Sequence, residues 1–283
     1  MSRISRYKKF IDIEDVIKSK SEFLLKITPK IIIRWIRRVL HEEDLNSAIK
    51  NNIDKHGHDF AQAICDEFGA KLFIKGELPK ALNERFIMVS NHPLGGLDGL
   101  ALIATIGKIR KDLKFIVNDL LLFVENLKNV FLPVNKIGSS PKEALRIINN
   151  AYQSNELLLT FPFGLVSRRK KGIIQDLEWK KSFITKAKQT SRHIIPIHIN
   201  GRNSNFFYNL SNLRRFLKIK INIEMFFLVN EMYKQKDQNI TITFGKPIPI
   251  STFDNTYSET EWAEKLRKFV YDLAIDPGKS FQA

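Results

Sequence analysis

The sequence predicts an α/β fold, with a largely parallel central sheet flanked by helices and an N-terminal helical extension. From about residue 70, apolar runs of strand length alternate with helix-like segments, which is typical of a parallel sheet. Before that point the patterns are helical. The 283-residue chain is 43% hydrophobic, which supports an ordinary buried core. We therefore predict a helical segment over residues 1–70 and a main domain over residues 71–283.

One N-terminal helix combines an apolar face with a basic face. Thr28 and Pro29 form a good N-cap and first-turn pair, and apolar residues then repeat at helical spacing through Val39. Such a helix either lies in the head-group layer of an anionic membrane or docks on a core with its basic face in solvent. The membrane interpretation predicts contacts from its basic residues and its tryptophan: Lys30, Arg34, Trp35, Arg37 and Arg38.

Seven short apolar runs are the strand candidates, and helices fall between most of them. In chain order the runs are 71–74, 86–89, 115–117, 131–134, 157–161, 194–199 and 240–244. Two helices begin with the pattern of a capping box, one at residues 140–143 and one at residues 258–261. Sites in parallel sheets gather where strands end and helices begin. The polar turns after the second and fifth runs are therefore the candidate site.

The turn after the second run, residues 91–98, has the sequence Asn-His-Pro-Leu-Gly-Gly-Leu-Asp. A histidine can take a proton at neutral pH, and a nearby carboxylate fixes its tautomer and stabilises the imidazolium. Gly95 and Gly96 let the backbone turn tightly enough to bring Asp98 back to His92. The alternative is that Asp98 only caps the following helix and that His92 is a polar turn residue.

The turn after the fifth run, residues 162–171, combines proline and glycine with a cluster of cations that begins at Arg168. Arginine and lysine at the end of a strand suit an anionic head group or a phosphate. A solvated run of charges is the alternative interpretation of this segment.

The net charge of +16 implies an anionic partner, which could be lipid head groups, an acidic carrier protein or nucleic acid. The basic residues are dispersed and no nucleic-acid-binding motif is recognised, so we expect no nucleic acid partner. Cys65 is the single cysteine, which excludes an intramolecular disulfide. His56 and His58 have no matched partner pair, and we assign no metal. We see no secretory signal and no uncharged apolar run of the ~18 residues that a spanning helix needs.

In their order along the chain, these segments resemble the PlsC-like glycerolipid and lysophospholipid acyltransferases over roughly residues 80–270. Asn91-His92 followed by Asp98 is similar to the family's Asn-His…Asp block. Residues 161–168 are similar to its Phe-Pro-Glu-Gly-Thr-x-Ser-Arg block, and residues 129–136 and 194–201 to two further blocks. The resemblance implies acyl transfer with His92 and Asp98 as catalytic residues. It implies no cofactor, and a thioester of coenzyme A or acyl carrier protein as co-substrate.

The chain departs from the usual family pattern at four places. Five residues separate His92 from Asp98 where most members have four, and Phe163 stands where they carry Glu. Leu165 replaces a Thr, and Asn135-Lys136 stands where an Arg usually falls. The variant turn is instead similar to a divergent, haemolysin-like bacterial branch, which includes O-acyltransferases that acylate N-acylated amino acids to make aminolipids. The resemblance assigns substrate binding to Asn91, Lys136, Phe163, Gly164, Ser167, Arg168 and Arg169. Among them, Arg168 is placed at the anionic group of the acceptor, with Arg169 or Lys136 as alternatives.

The resemblance therefore implies an enzyme that acylates the hydroxyl of a lyso-lipid, with a lyso-aminolipid favoured as acceptor. It implies a peripheral protein on the inner, cytoplasmic face of the cytoplasmic membrane. Within the class, the alternative is a 1-acylglycerol-3-phosphate acyltransferase. From a different class, it is a non-catalytic basic protein that docks on membranes. Residues 203–232 are a second membrane-facing patch, part of an acyl-chain pocket or plain core packing.

Overall fold

Within the residues that the structure describes, five helices precede the first strand, which agrees with the helical patterns of the N-terminal segment. The computed structural model describes residues 9–76, 84–117, 124–133 and 141–282. The helices are α1 Ile13–Lys20, α2 Glu22–Ile27, α3 Lys30–Val39, α4 Glu42–Asn51, α5 Gly57–Glu67, α6 Gly96–Ile106, α7 Pro141–Gln153, α8 Ser182–Gln189, α9 Asn205–Phe216, α10 Leu228–Tyr233 and α11 Glu259–Asp272. The strands are β1 Lys71–Gly76, β2 Phe86–Ser90, β3 Leu113–Val117, β4 Phe131–Pro133, β5 Leu157–Thr160, β6 Arg168–Lys170, β7 Ile173–Gln175, β8 His193–Ile199 and β9 Asn239–Phe244.

Within these described ranges, seven strands form one sheet in the order β1-β9-β8-β2-β5-β3-β4. Each of the seven predicted runs contributes one of them. Every neighbouring pair runs parallel except β8 and β9. The predicted α/β class with a largely parallel sheet is therefore confirmed. The division at residue 70 stays a prediction, and α5 shares a core cluster with α6.

Both faces of the central strands are buried, because alternate side chains of β2 enter two different cores. Met88 packs in a cluster with side chains of α5 and α6. Ile87 and Val89 point the other way, into a cluster with α8 and α11. A strand buried on both faces reads as a continuous apolar run, which is why the sequence pattern located β2 and β5.

The short hairpin of β6 and β7 was not predicted. Its strands have three residues each and pair antiparallel, with Lys170 level with Ile173. The two residues between them, Lys171 and Gly172, both have positive φ, as a type I′ turn requires. Because β6 consists of charged residues, the segment has none of the apolar alternation by which strands are recognised.

The helix starts agree with the sequence signals to within one or two residues. Ser258 and Glu261 form the predicted capping box of α11. The N-cap of α3 is Pro29, one residue after the predicted position. The start of α7 at Pro141 agrees, although Ser140 lies outside the described residues. Among the described helices, none has the length and apolar character needed to cross a bilayer.

Candidate active site

The carboxyl ends of β2, β5 and β8 meet at one edge of the sheet, because these strands run parallel. Val89 of β2 is level with Thr160 of β5, so the turns that follow the two strands leave the sheet side by side. The ring of His92, from the first turn, stacks on Phe161 at the start of the second, with centroids 4.0 Å apart. The two turns that the sequence singled out are therefore adjacent.

His92 and Asp98 are in direct contact. Nδ1 of His92 lies 2.9 Å from Oδ2 of Asp98. The same oxygen accepts hydrogen bonds from the backbone N–H groups of Leu94 at 2.8 Å and Gly95 at 3.1 Å. Gly95, the N-cap of α6, has a φ of +89°, which favours glycine and tightens the turn enough for the five-residue separation. Asp98 therefore contacts the histidine and also caps the helix.

The contact between His92 and Asp98 leaves the second ring nitrogen of His92, Nε2, available to accept a proton. Burial raises the pKa of the Asp98 carboxyl, whereas the hydrogen bonds from His92, Leu94 and Gly95 favour its ionised form. An ionised Asp98 pairs with a protonated Nδ1, so that Nε2 of His92 is the basic nitrogen. In the described part of the chain no group hydrogen-bonds Nε2, and the His92 side chain is partly open to solvent. This arrangement suits a general base.

Aromatic packing fixes the plane of the imidazole. Phe161 lies nearly parallel to His92, at an interplanar angle of 15°. Phe115 of β3 meets Phe161 edge-on, with centroids 5.1 Å apart. A Cβ on Gly99 would lie 2.9 Å from Phe115, so α6 approaches this aromatic pair only because residue 99 is glycine. The ring is held on one side while Nδ1 is held by Asp98.

Asp176 is a fully buried carboxylate that the sequence analysis did not single out. Its Oδ1 accepts from the Ser167 hydroxyl at 2.6 Å and from the backbone N–H of His92 at 3.3 Å. Its Oδ2 accepts from the indole N–H of Trp179 at 2.8 Å. Burial raises the pKa of Asp176, and the hydrogen bonds from Ser167 and Trp179 act against that rise. The carboxylate thus connects the two turns of the site with Trp179, which lies just before α8.

Two of the predicted acceptor residues serve the scaffold. The Asn91 amide donates to the carbonyl of Ile199 at 2.9 Å and accepts from its N–H at 2.7 Å, which ties the turn to β8. The backbone N–H of Ser167 donates to the carbonyl of His92 at 2.7 Å, in addition to the hydroxyl bond to Asp176. Asn91 and Ser167 are both buried, so their contacts hold the turns in place.

Phe163 and Gly164 lie at the tip of the second turn. Phe163 is partly buried and packs against the core cluster of α8 and α11. The N–H of Gly164 donates to the carbonyl of Phe161 at 2.9 Å, so this donor is used within the turn. Gly164 has a φ of +71°, a left-handed conformation that favours glycine.

Arg168, which the sequence placed at the acceptor's anionic group, is buried against an acidic partner. Its guanidinium lies 3.0 Å from Oε1 of Glu224 and also donates to the carbonyl of Val166. Arg214 of α9 lies 2.8 Å from the other oxygen of Glu224. Burial lowers the pKa of Arg168, and Glu224 opposes that shift. Both amino groups of this guanidinium are therefore engaged within the protein.

The remaining predicted cations differ in their positions. Arg169 is partly exposed and donates to Asn205 at 3.3 Å and to Asn209 of α9. Lys136 lies outside the described residues. Lys180, which was not among the predicted site residues, reaches the second turn, because a Cβ on Gly164 would be 3.4 Å from its Nζ. Lys180 is exposed, and its backbone N–H donates to the carbonyl of Pro162 at 3.1 Å.

The residues predicted to contact a membrane divide into two groups. Lys30, Arg34, Trp35 and Arg38 are exposed on α3. Arg37 instead lies 2.8 Å from Glu14 and 3.4 Å from the buried Glu42, so it pairs within the N-terminal helices. Among the described residues, no group of three or more histidine, cysteine or acidic side chains is placed to hold a metal ion.

A histidine held by a buried carboxylate, at the carboxyl edge of a mostly parallel sheet, is the arrangement of an enzyme that uses general-base catalysis. The family model described as Acyltransferase matches residues 15–278, and the chain belongs to this acyltransferase family. The resemblance found in the sequence is thereby confirmed, and the protein is an acyltransferase. The non-catalytic alternative is not retained.

Two relatives match nearly the whole chain. The lyso-glycine lipid O-acyltransferase of Bacteroides thetaiotaomicron is 40% identical over 266 residues, covering 93% of this chain and 97% of the relative. The enzyme of the same name from Phocaeicola vulgatus is 41% identical over 266 residues, covering 93% and 95%. The crystal structure of PlsC, the 1-acyl-sn-glycerophosphate acyltransferase of Thermotoga maritima, aligns with a TM-score of 0.45 at 14% identity. That alignment covers 88% of this chain and 99% of PlsC.

We expect His92→Ala and Asp98→Asn to lower kcat by about 10²- to 10⁴-fold, because each removes part of the general base. The test is the rate of acyl transfer by purified variants whose urea unfolding curves match the wild type. The control is His58→Ala, since His58 also contacts an aspartate, Asp59, at 3.1 Å but lies on α5. A His92→Ala variant with wild-type kcat would contradict the assignment of the base.

We expect Asp176→Ala to lower the free energy of unfolding by about 3 kcal/mol, because it leaves the buried donors of Ser167, Trp179 and His92 without their acceptor. Ser167→Ala removes one of these donors and should lower it by about 1 kcal/mol. Urea titrations followed by circular dichroism measure both values. An Asp176→Ala variant as stable as Ser167→Ala would show that the carboxylate does not hold the turns together.

Proposed function

We propose that the protein transfers a fatty acyl group from a thioester to the hydroxyl of a lyso-aminolipid, and specifically of a lyso-glycine lipid. The observation that carries the proposal is the 40% identity, over 93% of the chain, to an enzyme named for that reaction. The geometry of His92 and Asp98 supplies a base for a hydroxyl acceptor, which agrees with O-acylation.

In the proposed reaction, Nε2 of His92 removes the proton of the acceptor hydroxyl as its oxygen attacks the thioester carbonyl. The carbon–oxygen bond of the ester forms and the carbon–sulfur bond breaks. The departing thiolate takes the proton from the imidazolium, which regenerates the neutral histidine. Asp98 stabilises the imidazolium while it exists and keeps Nε2 directed away from the carboxylate.

The acceptor's charge is matched by cations beside the second turn. An N-acylated glycine retains one carboxylate at neutral pH, and this group requires a cationic partner. Because Arg168 is paired with Glu224, the partner we propose is Lys180, whose ammonium lies beside Gly164. Phe163 gives the turn an apolar tip where other members of the resembled family carry Glu. The apolar tip and the exposed ammonium of Lys180 suit the carboxylate of an N-acylated glycine.

The donor is the thioester of acyl carrier protein or of coenzyme A, both of which are anionic and suit a protein with a net charge of +16. The lipid acceptor implies that the enzyme works at a membrane surface, as a peripheral protein on the cytoplasmic face. Helix α3 is the proposed contact, with Trp35 entering the interface and Lys30, Arg34 and Arg38 among the head groups.

We expect Lys180→Gln to raise the KM for a lyso-glycine lipid roughly tenfold, because a charged hydrogen bond to its carboxylate is lost. The assay supplies a labelled acyl group as both thioesters, with lyso-glycine lipid or lysophosphatidate dispersed in detergent micelles. The matched control is Lys181→Gln, an exposed lysine one residue further along.

Wild-type product from lyso-glycine lipid alone, with KM raised only in the Lys180 variant, is the expected result. Faster transfer to lysophosphatidate would overturn the proposed acceptor in favour of phospholipid synthesis. An unchanged KM in Lys180→Gln would remove Lys180 from the acceptor site.

We expect vesicles of brominated phosphatidylglycerol to quench the fluorescence of Trp35. The protein has three tryptophans, and Trp35 is 51% exposed whereas Trp179 and Trp262 are buried. Quenching by bromine requires close contact with the lipid chains, so it reports insertion of Trp35 alone. The Trp35→Phe variant is the control and should lose the quenched component. Emission that brominated lipid leaves unchanged, with the protein bound to the vesicles, would exclude α3 from the interface.

A further inference from the structure

The chain around α9 carries an exposed apolar surface outside the catalytic pair. The large apolar side chains that are exposed here are Phe206, Leu213, Phe216, Leu217, Ile219, Ile221 and Phe226, and we call them the α9 surface. Phe216 is 82% exposed, and Ile221 is 69% exposed. Core packing accounts for Phe207 and Tyr208, which are buried beneath this layer, but not for the α9 surface itself. This concentration of exposed large apolar side chains in one stretch of chain, residues 206–226, indicates an interaction site.

The charges within this segment have one sign. Between residues 202 and 222 the sequence contains five Lys or Arg residues and no Asp or Glu. Arg215, Lys218 and Lys220 are exposed among the apolar side chains. A second copy of the chain would bring the same cations against them and be repelled. An anionic lipid surface accepts both the apolar side chains and the cations.

The α9 surface continues into α3. Trp35 of α3 meets Phe227 at a centroid distance of 6.1 Å, and Phe227 meets Phe206 at 5.0 Å. Ile31 and Ile32, which are also exposed, precede Trp35 by four and three residues and so lie on the same side of α3 as Trp35. Two elements that are far apart in the sequence, α3 and the segment around α9, therefore meet through Trp35, Phe227 and Phe206.

We propose that the α9 surface is a second membrane-docking element that binds anionic bilayers together with α3. This inference rests on the proposed function, to which it adds the surface that contacts the lipid.

Buried ion pairs connect the α9 surface to the candidate active site. Glu224, between Ile221 and Phe226, holds Arg168 of the second turn and Arg214 of α9. Docking through α9 therefore places the turn beside His92 at the membrane, where a lyso-lipid resides.

The test is vesicle flotation of the full chain with the double variant Phe216→Ser and Leu217→Ser. Vesicles contain phosphatidylcholine either alone or mixed equally with phosphatidylglycerol. We expect the partition coefficient on the mixed vesicles to fall about tenfold or more, since two large apolar side chains no longer enter the lipid. The matched control is Ile275→Ser with Leu145→Ser, because these side chains are 88% and 58% exposed, against 82% and 55% for Phe216 and Leu217.

A second variant tests the charge. Lys218→Gln with Lys220→Gln should weaken binding to the mixed vesicles and leave the weaker binding to pure phosphatidylcholine unchanged. Lys108→Gln with Lys111→Gln, two exposed lysines at the opposite end of α6 from Asp98, is its control. Full binding by the Phe216 and Leu217 variant, or an equal loss in the Ile275 and Leu145 control, would overturn the proposal. So would a dimer in solution that the Phe216 and Leu217 variant abolishes, since it would identify a second copy as the occupant.

Transfer activity in detergent micelles separates this inference from the proposed function. The Phe216 and Leu217 variant should retain wild-type turnover there, because micellar acceptor reaches the site without docking on a bilayer. If the wild type fails to acylate lyso-glycine lipid in micelles, the proposed acceptor is wrong, while the flotation result still decides whether α9 docks. Lost micellar turnover in the variant would show that the substitutions damage the site and would overturn the separate docking role.

Discussion

The geometry of the site depends on one buried carboxylate, that of Asp176. Burying a carboxylate away from solvent is strongly unfavourable unless its oxygens accept hydrogen bonds. The donors to Asp176 come from three separate segments. The His92 backbone, the Ser167 hydroxyl and the Trp179 indole all converge on it. Because these donors together offset the cost of burying the carboxylate, they hold the two turns and the segment before α8 together as one unit. His92, the proposed base, is positioned by this unit through its backbone N–H.

Asp98 shows how one side chain meets two requirements at once. The start of α6 leaves backbone N–H groups without partners, and a carboxylate in the first turn satisfies them. The same oxygen contacts Nδ1 of His92, so a single carboxylate holds both the helix start and the proposed base. The positive φ of Gly95 lets the turn of five residues close, so that Asp98 reaches His92.

The sequence predicts structure that depends on residues close together along the chain. It does not predict contacts between residues that are far apart along the chain. The strands of the sheet and the His92–Asp98 pair follow from apolar runs and from residues within one turn. The role of Asp176 was not predicted, because its partner His92 is 84 residues away and no sequence motif indicates a contact over that separation. Arg168 looked like an anion site because its partner Glu224 lies 56 residues further on and reads as an ordinary surface acid. Arg37 was predicted to contact a membrane for the same reason, since its partners Glu14 and Glu42 lie on other helices.

The position of β9 in the sheet has a consequence for synthesis on the ribosome. The strand order places β9 between β1 and β8, and β1 has no other neighbour in the described sheet. β1 therefore cannot pair until β9 has been synthesised, since Lys71 lies level with Asn239. In contrast, β2, β5 and β8 can pair as soon as each strand leaves the ribosome. Until β9 is translated, β1 and one side of β8 remain unpaired edges, which are the features that recruit chaperones or promote aggregation. The last step of sheet formation joins the beginning of the α/β region to its end.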